Sequence, residues 1–274
     1  MKVVLFCGGL GSRLREHSET VPKPLVDIGP RPIIWHLMQY YAHFGHTEFI
    51  LCLGYKGDMI KDYFLNYDDC RSNDFSITGS SREVELANRD IEDWKITFVD
   101  TGLHSNLGQR LRAVEEYVAG EDMFLANYSD GLSDMPLNSN IERFRKSDAV
   151  AGFVSVRPFQ TYHVVQSDDE SRVTGIVSAK DSDVWVNGGF FVLRPKIFDY
   201  IRDGEDLVVE PFERLIAQNK LMTWKYYGFW EAMDTYKDWK NLEDMYHEGC
   251  RPWAMQSKKR RKQVVNMQPK LVAM

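Results

Sequence analysis

The segments Met1-Lys-Val-Val-Leu-Phe-Cys7, Gly8-Gly9-Leu10-Gly11-Ser12-Arg13-Leu14 and Pro22-Lys23-Pro24 decide how the chain is read. Val3, Val4, Leu5 and Phe6 form a short apolar run with the branching of a buried strand. Glycines at its carboxyl end permit a sharp turn and leave backbone N–H groups open to close approach, which is how a chain holds phosphate oxygens. Arg13 adds a planar cationic fork and Lys23 a point charge at the same mouth. A Walker loop needs Gly-Lys followed by Ser or Thr, and none is present here. A dinucleotide fingerprint needs a third glycine where Leu14 stands. Pro22 and Pro24 keep the following segment extended. The plain alternative is a glycine turn carrying solvated charges, against which stands the joint occurrence of loop, arginine and Pro-Lys-Pro.

Pro32 opens a helical pattern with Ile33, Ile34, Leu37, Met38, Tyr41 and Phe44 on one face and Gly45 as its stop. Trp35, His36 and His43 read as packing or surface residues. A second buried strand is predicted over 48–53 and a second helix from Lys56 to Phe64. Strand and helix in alternation imply a parallel sheet with right-handed crossovers. Residues 67–92 read as a polar excursion before a strand over 95–99, and Leu107 to Val118 as one helix. The strand Met123–Ala126 runs into Asn127-Tyr128-Ser129-Asp130-Gly131. An acid at the carboxyl end of a parallel strand faces the crevice where such folds bind ligands, although an Asp-Gly turn alone would also fit. From residue 149 β-rich segments follow, among them 184–193 as one strand, expected to extend the sheet and lay a small antiparallel layer over the crevice. Asn187-Gly188-Gly189 marks a close backbone approach or a bulge. A helix from Glu210 and a strand over 221–226 precede Gly228-Phe-Trp-Glu-Ala-Met-Asp-Thr235. Asp134 reads as a surface or capping acid, and Glu231 and Asp238 as helix-surface acids.

These residues together resemble the sugar-1-phosphate nucleotidyltransferase family, closest to its glucose-1-phosphate cytidylyltransferase branch, over residues 1 to about 246. The opening is similar to the family's Gly-Gly-x-Gly-(Ser/Thr)-Arg-Leu and Pro-Lys-Pro. Gly54-Tyr-Lys-Gly57, Val99-Asp-Thr-Gly102, Tyr128-Ser-Asp-Gly131, Asn187-Gly-Gly-Phe-Phe191 and Trp230-Glu-Ala-Met-Asp-Thr235 continue the likeness. The resemblance implies a Rossmann-like, mostly parallel α/β domain over 1–246, with a nucleotide half to about 135 and an acceptor half after it. Residues 247–274 then form an extension whose basic run Lys258–Lys262 reads as a solvated arm, or as a contact with an acidic neighbouring subunit or another polyanion. It implies transfer of CMP from CTP to a small phosphorylated acceptor, with Mg²⁺ held by Asp130 and Asp234 and with Arg13 and Lys23 as the catalytic cations. Phe6, Cys7, Gly8, Gly9, Leu10, Gly11, Ser12, Thr101, Ser105, Arg110 and Ser129 would line the nucleotide, and Lys180, Asn187, Gly188, Tyr162 and His163 the acceptor. By analogy the excursion builds subunit contacts, so a homo-oligomer is expected.

The chain departs from the family in three places. Gly108-Gln-Arg-Leu111 keeps the arginine of the base-side motif but not its second glycine, which leaves UTP and dTTP behind CTP as alternatives. The family's Glu-Lys-Pro is replaced by Ser178-Ala-Lys-Asp181, so the acid that grips sugar hydroxyls is missing. Tyr162-His163 adds bulk where a Phe-Gly pair is usual. Sites built on hydroxyl hydrogen bonds discriminate strongly, so the acceptor is expected not to be plain glucose 1-phosphate. A catalytically silent nucleotide-binding regulator is a competing reading, opposed by the retained carboxylates. A glycosyltransferase would want an Asp-x-Asp motif that Tyr128-Ser-Asp-Gly131 lacks.

Composition sets the remaining bounds. With 274 residues, 43% hydrophobic and 27% charged, the chain can bury a full core. A net charge of −6 argues against general nucleic-acid binding. No apolar run reaches membrane-span length, and Gly8-Gly9 interrupts the only N-terminal apolar stretch, so neither membrane nor signal peptide is expected. Cys7, Cys52, Cys70 and Cys250 lack metal spacing and read as free thiols of a cytoplasmic protein.

Overall fold

The computed structural model describes residues 1–9, 20–80, 83–158 and 163–255. Its central sheet has eight strands: β1 (Lys2–Phe6), β2 (Glu48–Leu53), β3 (Lys95–Asp100), β4 (Phe124–Tyr128), β5 (Ala151–Val156), β6 (Val186–Asn187), β7 (Phe191–Leu193) and β8 (Leu221–Tyr226). β1 lies in the middle, parallel to β2 and β4, and β3 extends the sheet parallel to β2. β7 is antiparallel to both β4 and β5, which leaves β5 parallel to β4, and β8 pairs parallel with β5. The carboxyl ends of β1 through β5 and of β8 therefore share one edge. Side chains of β1 alternate between two cores, Val3 and Leu5 in one and Val4 and Phe6 in the other, as expected of a strand covered on both faces.

Helix α1 (Ile33–His43) buries Ile33, Ile34, Leu37 and Met38 almost completely. Each such side chain contributes about 1.5–3 kcal/mol over an exposed one. Pro32 is the residue before this helix rather than its first turn, and Gly45 ends it at φ +86°. Helix α2 (Gly57–Leu65) starts after Lys56, which takes a left-handed conformation at φ 50°. The predicted helix over 107–118 is broken: α3 (Leu107–Ala113) ends at Val114 and a separate turn, Glu115–Val118, follows. Leu111, Val114 and Val118 are nonetheless all buried, so the spacing read the face correctly and missed the break.

One other reading needs correction. The stretch 184–193 is two strands, because Gly188, Gly189 and Phe190 interrupt it. Gly189 and Phe190 take φ +74° and +51°, and a Cβ on Gly189 would meet Asn127 Oδ1 at 2.3 Å. The antiparallel ribbon His163–Ser167/Val173–Ser178 is a separate two-stranded sheet, largely exposed, and none of its residues lines the cavity described below. The excursion holds a short helix, Asp69–Ser72, and a hairpin, Phe75–Ile77 with Val84–Leu86. Arg31 anchors it by bonds to Ser72 Oγ at 2.7 Å and Asp90 at 3.0 Å. Helices α4 (Glu210–Ala217) and α5 (Tyr236–His247) complete the part of the fold that shapes the site. Beyond α5, Trp253 is buried against Phe229. Among the described residues no helix is long and apolar enough to cross a membrane. Cys7 and Cys52 are buried and all four cysteines are free thiols.

Candidate active site

A cavity of 340 Å³ opens at the carboxyl edge of the sheet. One wall is Phe6, Cys7, Gly8 and Gly9, leaving β1; another is Tyr128, Ser129 and Asp130, leaving β4. Lys23, Pro24 and Asp234 face them, and Ser105, Arg110 and Asp206 close the far end. Cys7 N–H still donates to Cys52 O at 2.9 Å, and Ser129 Oγ donates to Phe6 O at 2.9 Å, so the two loops leave the sheet tied together. Burial, reinforced by the neighbouring Cys52, pushes the Cys7 thiol well up, which makes it inert packing rather than a nucleophile.

The Pro-Lys-Pro segment explains where Lys23 points. Pro22 is extended at φ −66°, ψ 147°, and a 3₁₀ turn follows in which Leu25 N–H donates to Pro22 O at 2.8 Å. Pro24 is buried, and the lysine is turned into the cavity. Its Nζ donates to Asp130 Oδ2 at 2.5 Å and to Asp234 Oδ1 at 2.8 Å. Burial pulls the Lys23 pKa down, but the two carboxylates outweigh it and raise it above the ordinary value. The ammonium is therefore held charged between two anions.

The two aspartates lie 104 positions apart in sequence, and a small ladder joins them. Gly131–Ser133 pairs antiparallel with Trp230–Ala232, and Met233 N–H donates to Asp130 O at 2.9 Å. Asp234 is then fixed by α5: its N–H donates to Asp238 Oδ2 at 3.1 Å, and that oxygen also accepts from Thr235 N at 2.7 Å. Asp238 is thus the inner half of a capping box with Thr235, not a bare surface acid. Glu231 is likewise not a surface residue. It is 3% exposed and takes two hydrogen bonds from Asn241 Nδ2, at 2.8 and 2.9 Å. Asp134 is a staple, accepting from Phe229 N–H at 2.9 Å and from the Tyr226 hydroxyl.

Arg110 lines the cavity from α3, yet its guanidinium is spent on the scaffold. It donates to Gly8 O at 3.0 Å, Leu53 O at 3.1 Å and Thr101 Oγ1 at 2.7 Å. One fork thereby ties the carboxyl ends of β1, β2 and β3. It occupies the space a Cβ on Gly8 would need, with Nη1 only 2.0 Å from that point, so Gly8 has to be glycine while Arg110 stays in place. Thr101 and Ser105 serve the same knot, Thr101 Oγ1 donating to Leu53 O at 2.7 Å and Ser105 Oγ to Thr101 O at 2.5 Å. Gln109, the departure from the family motif, closes a capping box with Asn106, which also lines the cavity.

Of the residues expected to meet the acceptor, Asn187 Nδ2 donates to the Tyr128 hydroxyl at 3.1 Å, and Gly188 O accepts from Trp230 Nε1 at 2.8 Å. Burial, Asp206 and Asp130 together raise the Tyr128 pKa, so the phenol stays protonated. Neither Asn187 nor Gly188 lines the cavity itself, and His163 is exposed on the separate ribbon. Leu10, Gly11, Ser12, Arg13, Tyr162 and the basic tail lie outside the described residues, as does the side chain of Lys180. Sequence reasoning missed Tyr128, Asp206, Asn106 and Asp238. Asn106 and Asp238 carried a local signal, the Asn-x-x-Gln and Thr-x-x-Asp spacings of helix starts.

The donor set suits a hard divalent cation. Two carboxylates converge on one positive group, and an ion preferring one or two carboxylates with phosphate oxygens fits that arrangement. Among the described residues no cluster of three or more His, Cys, Asp or Glu offers an all-protein cage, so substrate oxygens would complete the sphere.

Comparison with known proteins gives the family. Residues 2–240 match the Nucleotidyl transferase family model. The chain is 38% identical over 255 residues to the "Probable glucose-1-phosphate cytidylyltransferase" of Bacillus subtilis (strain 168), covering 92% of this chain and 99% of that one. It is 36% identical over 254 residues to the glucose-1-phosphate cytidylyltransferase of Salmonella typhi, covering 92% and 98%. Among solved structures, UDP-glucose pyrophosphorylase complexed with UDP-glucose superposes with a TM-score of 0.65 at 15% identity, covering 90% of this chain and 98% of the other. HddC from Yersinia pseudotuberculosis gives a TM-score of 0.63 at 21% identity, covering 89% and 99%; these two likenesses concern the fold. The chain belongs to the nucleotidyl transferase family.

Proposed function

We propose that this chain transfers CMP from CTP to a small phosphorylated acceptor of the sugar-1-phosphate type and releases pyrophosphate. The observation that carries this reading is the Lys23 ammonium held between Asp130 and Asp234, at 2.5 and 2.8 Å, in a cavity walled by the glycine loop. Both reactants are polyanions, so the protein's task is to neutralise and align charge, and no protein nucleophile is required. An oxygen of the acceptor phosphate attacks the α-phosphorus. The bond from that phosphorus to the bridging oxygen of the β-phosphate breaks, and pyrophosphate leaves with the electron pair. Asp130 and Asp234 would hold Mg²⁺, whose charge offsets that of the converging phosphates. Lys23, released from one or both carboxylates, has the reach and charge to sit between the attacking phosphate and the α-phosphate. The N–H groups of Gly8 and Gly9, with Arg13, are assigned to the departing pyrophosphate from the sequence motif.

Cytidine as the base is supported by the names of the relatives above and by Arg110 and Leu111, the part of the cytidylyl-branch motif that this chain retains. Arg110 holds the loops that surround the base rather than offering a free fork to it. The test is pyrophosphate release from CTP, UTP, dTTP, ATP and GTP across a panel of phosphate esters with Mg²⁺. CTP-selective release with one acceptor supports the proposal, and release independent of acceptor, or confined to a purine triphosphate, contradicts it.

A further inference from the structure

The acceptor half carries a second group of side chains on the same edge of the sheet as the cavity. Ser155 of β5 is paired with Asn187 of β6 on one side and with Lys225 of β8 on the other. Paired positions share a face and positions two residues away return to it. Asn187, Ser155 and Lys225 therefore form one row, and Trp185, Arg157 and Tyr227 form the next row toward the carboxyl edge. The contacts agree. The centroid of the Trp185 indole lies 5.6 Å from Arg157 Cζ and 4.6 Å from Lys225 Nζ, and its ring meets that of Tyr227 edge-on at 5.1 Å.

This platform is continuous with the site, since Asn187 bonds the Tyr128 hydroxyl and Tyr128 lines the cavity. Its chemistry differs from what a neutral sugar ring asks for. Two cations share one indole, and among the described residues no carboxylate is paired with Lys225. Between Asn187 and Lys225, Ser155 is 5% exposed and its Oγ has no hydrogen-bond partner among the described residues. A buried hydroxyl left without a partner calls for a polar occupant. The family's hydroxyl-gripping acid, absent at Ser178-Ala-Lys-Asp181, has no counterpart in the two rows.

We propose that this platform seats a second anionic group of the acceptor, a carboxylate or a phosphoryl group, with Lys225 and Arg157 as its cations and Trp185 and Tyr227 flanking the carbon frame. The acceptor is then a phosphate ester carrying an extra negative charge, not a neutral-ring sugar phosphate. The proposal rests on the transfer reading for the fate of the reacting phosphate, but not for the charge of the platform.

The test separates the two. Calorimetric titration of the full chain with glucose 1-phosphate, glucuronic acid 1-phosphate and glucose 1,6-bisphosphate reads binding without turnover, and pyrophosphate release with CTP reads transfer. A charged ester is expected to bind about tenfold or more tighter than glucose 1-phosphate, as charge-assisted hydrogen bonds allow, and whichever of the two wins identifies carboxylate or phosphoryl. Lys225→Gln is expected to reduce that ratio several-fold and Lys225→Gln/Arg157→Gln to remove it. Lys225 is exposed, so its loss leaves the melting temperature in place. Preferential binding of the charged esters without pyrophosphate release would overturn the transfer reading and uphold the platform. Equal or undetectable binding of all three, or a ratio unchanged in Lys225→Gln, overturns the platform whatever the transfer assay shows.

Discussion

Lys23 occupies the point between two carboxylates where a divalent cation would be drawn, and its removal has opposite effects on two measurements. In the nucleotide-free protein the ammonium makes charge-assisted bonds of 2.5 Å to Asp130 and 2.8 Å to Asp234. Such a bond contributes about 1.5–3 kcal/mol when sheltered. The Lys23 and Asp130 side chains are only 14% and 20% exposed, so that figure holds for their bond. Asp234 is 41% exposed, and its bond is discounted to about 1 kcal/mol or less by solvent screening. A divalent ion taken up by Asp130 has to displace the Lys23 contact to that carboxylate, a cost of about 2 kcal/mol or roughly thirtyfold in affinity. Lys23→Gln should therefore bind Mn²⁺ or Mg²⁺ about thirtyfold tighter without nucleotide, read by electron paramagnetic resonance of free Mn²⁺ or by calorimetry at pH 8. Turnover should fall by at least about a hundredfold, because the same cation then fails to meet the reacting phosphates. Unchanged or weaker divalent binding by the nucleotide-free variant would refute the reasoning.

Three further outcomes follow from the geometry. Asp130→Asn keeps the ladder to Met233, made by the Asp130 backbone, and weakens only the bond to Lys23, so the fold should hold with a melting temperature lowered by no more than several degrees while pyrophosphate release drops about a hundredfold or more; a variant with near-normal turnover would remove Asp130 from the site. Arg110→Met removes three charge-assisted hydrogen bonds, to Gly8 O, Leu53 O and Thr101 Oγ1, and should cost about 3 kcal/mol in denaturant unfolding, with Lys a poor substitute because it lacks the fork; a loss under about 1 kcal/mol would contradict the knot. His36 donates to Ile28 O at 2.9 Å, and burial lowers its pKa to about 4 against the pull of that carbonyl. It is neutral in the fold and titrates near 6.5 when unfolded, so its contribution is complete above pH 6.5 and is lost as pH falls toward about 4. His36→Gln should therefore lose roughly 2–3 kcal/mol less than the natural chain between pH 7.5 and 4.5, and identical losses would contradict the assignment.

The fold was legible where one physical signal dominates. A four-residue apolar run with glycines behind it marks β1, and α1 is written in the spacing of Ile33, Ile34, Leu37 and Met38. The break at Val114 was not legible, because apolar spacing reports a face and Val114 keeps that face while leaving the helix. The interruption at Gly188–Phe190 was half legible: glycines announced a special backbone, but only the packing of Asn127 against Gly189 shows why. In the site, Lys23, Asp130 and Asp234 were named from motifs, whereas their meeting depends on a ladder between segments about a hundred residues apart, which no local pattern encodes. Arg110 shows a motif residue whose donors are committed to carbonyls that only the folded chain brings near. Glu231 and Asp134 were misread because an acid in sequence looks like surface until its donors, Asn241 and Phe229, are placed.

The most direct test of the central claim, a single in-line displacement aligned by Lys23, Asp130 and Asp234 without a protein nucleophile, is the stereochemistry at the α-phosphorus. CTP made chiral there by sulfur substitution, reacted with the acceptor found in the panel, should give product of inverted configuration. Retention would mean two displacements through a covalent nucleotidyl-protein intermediate and would contradict the account.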